Sequence, residues 1–106
     1  MSNYADVAAL ASFSGDKMKK NNIFTTDRLF CDVYCFEPGQ TQAPHSHGGS
    51  DKIYYVLEGS GCIEIGSETR TVGPGTAVLA PAGMDHSVVN EGPERLKLLV
   101  VMAPKP

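Results

Sequence analysis

The stretch GQTQAPHSHGGSDKIYYVLEG, Gly39 to Gly59, sets two histidines one residue apart in front of a Gly-Gly pair and an apolar run that ends at glycine. Residues of one parity in a strand share a face, so His45 and His47 are expected to point the same way. KIYYVLE has strand length and β-forming composition, and Gly59 closes it with a turn. Lys52 and Tyr54 share one face of that strand, while Asp51, Ile53 and Tyr55 share the other.

The rest of the chain repeats this grammar. RLFCDVYCFEPGQ alternates Leu29, Cys31, Val33 and Cys35 with Phe30, Asp32, Tyr34 and Phe36, then stops at Pro38-Gly39. GCIEI, TRTV, TAVLA, HSVVN and RLKLLVVMA follow, separated by glycine- and proline-bearing turns. Seven or more short strands without a helical period predict an all-β antiparallel sandwich or barrel. With 106 residues the chain is expected to form one domain, residues 1–106. Residues 1–25 are expected to be a loosely defined N-terminal arm, with one short helical turn within residues 4–14.

A third histidine, His86, stands at another turn-to-strand junction in PAGMDHSVVN, and these three are all the chain has. Imidazoles converging from two strands suit a divalent transition metal: iron, manganese, nickel, copper or zinc. The frame around them resembles the cupin superfamily. The first cupin motif, Gly-x5-His-x-His-x(3,4)-Glu-x6-Gly, is met as Gly39-QTQAP-His45-S-His47-GGSD-Lys52-IYYVLE-Gly59. The second, Gly-x5-Pro-x-Gly-x2-His-x3-Asn, is met in full as Gly75-TAVLA-Pro81-A-Gly83-MD-His86-SVV-Asn90. The resemblance implies a jelly-roll (double-stranded β-helix) barrel with the site in its mouth and His45, His47 and His86 at the metal-ligand positions.

Lys52 stands where the family carries its glutamate ligand. Three readings follow. Three histidines hold the metal while Lys52 binds a carboxylate or acts as a base; or a bulge after HGGS turns Asp51 inward; or Lys52 replaces the metal, leaving a metal-free pocket. Tyr54 is a second candidate catalytic residue. Gln40 and Gln42 are candidates for the mouth, Asp85 and Asn90 for orienting a histidine, and Cys62 for a thiol at the site.

Composition narrows the functions. The net charge of −3 and the single basic cluster, Lys17, Lys19 and Lys20, argue against a nucleic-acid partner. No apolar run is long enough to cross a membrane, and MSNYADVAAL has no basic head, so a cytoplasmic protein is expected. Cys31 and Cys35 lie about 13 Å apart along one strand, too far to bridge. The expected function is a metal-dependent oxidoreductase, lyase or isomerase acting on a small anionic molecule. The alternative is a non-catalytic small-molecule-binding or sensor protein, with or without a metal, in which Lys52 replaces the glutamate ligand. A homodimer is expected from the class, because pairing copies covers sheet edges.

Overall fold

A computed structural model describes residues 2–106 of the chain. After a four-residue helix, α1 (Val7–Leu10), come nine strands: β1 (Lys19–Thr25), β2 (Phe30–Phe36), β3 (Thr41–His45), β4 (Asp51–Glu58), β5 (Gly61–Ile65), β6 (Glu68–Val72), β7 (Ala77–Ala80), β8 (His86–Val89) and β9 (Leu96–Ala103). All pair antiparallel. One sheet has the order β1-β2-β9-β4-β7 and the other β3-β8-β5-β6, as in a jelly-roll barrel.

Alternation explains which faces meet. Along β9, Leu96, Leu98, Val100 and Met102 are buried while the residues between them are partly exposed. Along β4, Lys52, Tyr54 and Val56 are buried and their neighbours exposed. These inner faces join Tyr34, Phe36, Ile63, Ala80 and Val88 in one core. On the outer side of the larger sheet, Ile53, Tyr55, Leu57 and Leu79 stay exposed.

Two strands depart from the sequence expectation. Residues 19–25, assigned there to the arm, form β1, an edge strand held by its backbone pairing to β2. Its composition, KKNNIFT, hides it, because an exposed edge needs no apolar face. The short β3 contains Pro44 and a register shift between Gln42 and His45, which together break any alternation. The expected helical turn is present as α1, capped by Asp6, whose side chain accepts from the Ala9 N–H at 3.2 Å.

Gly59 shows why the β4 strand ends where it does. It has φ +78°, and a Cβ there would collide with the Arg95 carbonyl oxygen. Gly59→Ala is therefore expected to destabilise the fold by about 2–4 kcal/mol, read as a lower denaturant midpoint at unchanged slope.

Candidate metal centre

His45 and His47 come from the end of β3 and the loop after it, and His86 opens β8. The β3–β8 register sets His45 directly opposite His86. The Gly83 N–H donates to the His47 carbonyl at 2.8 Å and ties the two histidine loops together. Ring centroids are separated by 4.2 Å for His45 and His86, 5.0 Å for His45 and His47, and 5.8 Å for His47 and His86. One nitrogen from each of the three lies within 4.8 Å of the others.

The hydrogen bonds decide which nitrogen faces inward. His45 Nδ1 contacts the Ala43 carbonyl at 2.8 Å and His86 Nδ1 the Met84 carbonyl at 3.0 Å. A carbonyl oxygen only accepts, so each Nδ1 carries the proton and each Nε2 the lone pair. His86 Nε2 is buried with no partner. Burial lowers the pKa of all three imidazoles, and the charge of Lys52 adds to the effect. Neutral imidazoles, two of them with Nδ1 bonded to a carbonyl and Nε2 left for a ligand, are what a divalent ion requires, so the three residues fit a metal.

Lys52, not Asp51, faces the interior. The β4–β9 register runs unbroken from Asp51 opposite Ala103 to Val56 opposite Leu98, so the bulge that would turn Asp51 inward is absent. Asp51 is exposed, and its carboxylate accepts the Ala82 N–H at 2.9 Å, pinning the turn before His86. Lys52 is 1% exposed and its Nζ has no hydrogen-bond partner. The ammonium lies 5.0 Å from the ring centroids of both Tyr34 and Tyr54, a cation–π arrangement. Its pKa is lowered to about 7, chiefly by burial, with Lys20 adding repulsion and Asp32 opposing it.

Tyr54 is fully buried, its ring 6.1 Å from that of His86. Its hydroxyl donates to Gln42 Oε1 at 2.7 Å, and burial raises its pKa well above the usual phenol value. Other sequence candidates serve the scaffold instead. Gln40 donates to the Ser14 carbonyl and accepts the Glu37 N–H. Asn90 donates to the carbonyls of Phe36 and Glu94 at the strand end, far from the role of orienting an imidazole. Backbone carbonyls, rather than Asp85, orient His45 and His86. Cys62 neighbours the buried Ile63 on β5 and has the opposite parity, so it faces outward. Sequence reasoning missed Lys20, whose ammonium lies 5.3 Å from the Tyr34 centroid, and the buried Asp32.

The cupin domain family matches residues 32–102, which include both histidine stretches and the whole inner face of β4. The chain belongs to the cupin domain family. Among curated relatives, this cupin is 34% identical over 76 residues to the pectin degradation protein KdgF of Dickeya dadantii, covering 72% of this chain and 69% of that protein. Among solved structures, it superposes on TT1209 of Thermus thermophilus with a TM-score of 0.96 at 43% identity, covering 99% and 100% of the two chains. It superposes on KdgF from a Halomonas species with a TM-score of 0.81 at 25% identity, covering 90% and 86%. Among the described residues no helix is long and apolar enough to cross a membrane.

Proposed function

We propose that this cupin binds a divalent transition metal through His45, His47 and His86 and acts on a small anionic molecule by proton transfer, as a lyase or isomerase does. The observation that carries the reading is the free, buried Nε2 of His86 within a set of three mutually close imidazoles. A bound metal would supply Lewis-acid polarisation of a substrate oxygen. With no carboxylate among its ligands, the centre keeps its full positive charge and favours an anion. Lys52 then has two uses. Its ammonium pairs with a substrate carboxylate, and near pH 7 its amine form accepts a proton from an adjacent carbon. Tyr54, with its hydroxyl committed to Gln42, holds Lys52 in place through its ring and stays protonated. The relative named for degradation of pectin, an acidic polysaccharide, supports an anionic substrate.

The test is cobalt(II) titration of untagged protein, followed by visible absorption. Saturable d–d bands at one equivalent are expected, and His86→Ala is expected to abolish them. A titration of wild-type protein that stays silent would remove the metal reading.

A second reading rests on Lys52 itself, a buried cation in the place of a ligand carboxylate. Under it the pocket is metal-free, and the carboxylate of a ligand meets Lys52 directly.

A further inference from the structure

A cleft of about 500 Å³ lies between β1 and β3, the edge strands of the two sheets, lined by Lys17, Met18, Lys19, Lys20, Thr41 and Gln42. None of the three lysines forms an ion pair among the described residues. Gln42 is 8% exposed, and its Nε2 is buried with no acceptor, while its Oε1 is taken by Tyr54. Three unpaired cations therefore line this cleft with Gln42, whose buried amide N–H2 lies beside Tyr34 without a well-formed hydrogen bond.

The cleft and the site share a neighbour. Lys20 and Lys52 approach the same Tyr34 ring, at 5.3 and 5.0 Å. Gln42 lies three residues before His45 on β3, roughly 10 Å at strand rise.

We propose that this cleft is an oxyanion subsite, in which Lys17, Lys20 and the Gln42 amide hold a carboxylate or phosphate group of a small molecule whose other end lies at the histidines. The subsite deepens the proposed function: it makes the substrate a dianion, about the length of a four- to six-carbon dicarboxylate. An oxyanion suits the cleft because it brings acceptors to three cations and an amide donor, while Met18 offers its carbon chain an apolar wall. The two lysines are exposed, so replacing them leaves the fold intact.

The experiment is isothermal titration of cobalt-loaded protein with adipate, succinate and acetate, and of metal-free protein with inorganic phosphate. Wild-type protein is expected to bind one of the dicarboxylates at least about tenfold more tightly than acetate, and Lys17→Gln/Lys20→Gln to lose that advantage while keeping its cobalt bands. Phosphate binding to metal-free protein that the double variant loses would support the cleft without reference to the metal. The cleft therefore stands or falls separately from the metal reading, which the cobalt bands test. Equal affinity for mono- and dicarboxylates together with no phosphate binding, affinities unchanged in the double variant, or no binding by any of these anions would overturn the subsite. A dicarboxylate preference without phosphate binding would identify a carboxylate as the group held, and phosphate binding alone a phosphate.

Discussion

Lys52→Glu is expected to tighten divalent-metal binding by at least about a hundredfold. The substitution removes a cation from the ligand side of the site and restores a carboxylate at the same inward position. Both changes act in the same direction on an ion of charge +2, at short range and in a buried setting where screening is weak. Nothing else on β4 needs to move, because the register that buries Lys52 also buries its replacement. The shorter glutamate leaves the two tyrosine rings, each 5.0 Å from the lysine ammonium, without their cation. That cost falls on stability rather than on metal affinity. Competition titration against a chromophoric zinc chelator reads the change directly. An affinity that does not rise would mean that position 52 does not face the metal.

Lys52→Met is expected to stabilise the metal-free protein by about 2–4 kcal/mol at pH 6.5 and by progressively less as the pH rises. The sign follows from the proton count. Folded Lys52 titrates at about 7, while in the unfolded chain an ordinary lysine titrates near 10.4. Between these values the unfolded chain holds more protons, so this residue makes the wild-type protein more stable as the pH rises through that window. Below pH 7 both states are protonated, and the cost of the buried charge is present in full. Methionine has similar volume and no charge, so it removes both the cost and the slope. The gap between variant and wild type is therefore expected to narrow by about 2 kcal/mol from pH 7 to pH 9. The three histidines, whose pKa values burial already lowers, are neutral across this window and add little to the difference. Urea unfolding of both proteins across this range measures it, and a gap that widens with pH would reverse the assignment.

Much of the site was readable because it depends on parity. His45 and His86 sit at strand ends, where alternation and turn residues fix direction, His47 follows in the loop after β3, and one nitrogen from each comes within 4.8 Å of the others. Counting back from Gly59 put Lys52 at the inward position but left a bulge that would turn Asp51 in, and the unbroken β4 register from Asp51 to Val56 is what separates the two. Pairing partners, by contrast, are not written in any one strand. Lys20 reaches the site only because β1 registers Lys20 opposite Tyr34, and a polar edge strand carries no apolar pattern to announce that pairing. Gln42 lies in a strand broken by Pro44, so its inward direction was hidden. The roles of Asp85 and Asn90 went to backbone carbonyls and to strand-end capping, which depend on loop geometry rather than residue type.

On the proposed function, three histidines hold a metal despite the lysine beside them. Elemental analysis by ICP-MS of untagged protein, purified without chelator beside His47→Ala, tests it most directly. Close to one equivalent of iron, manganese, nickel, copper or zinc is expected in the wild-type protein and almost none in the variant. Wild-type protein that stays metal-free after reconstitution would contradict it, and would leave Lys52 as the cation of a metal-free pocket.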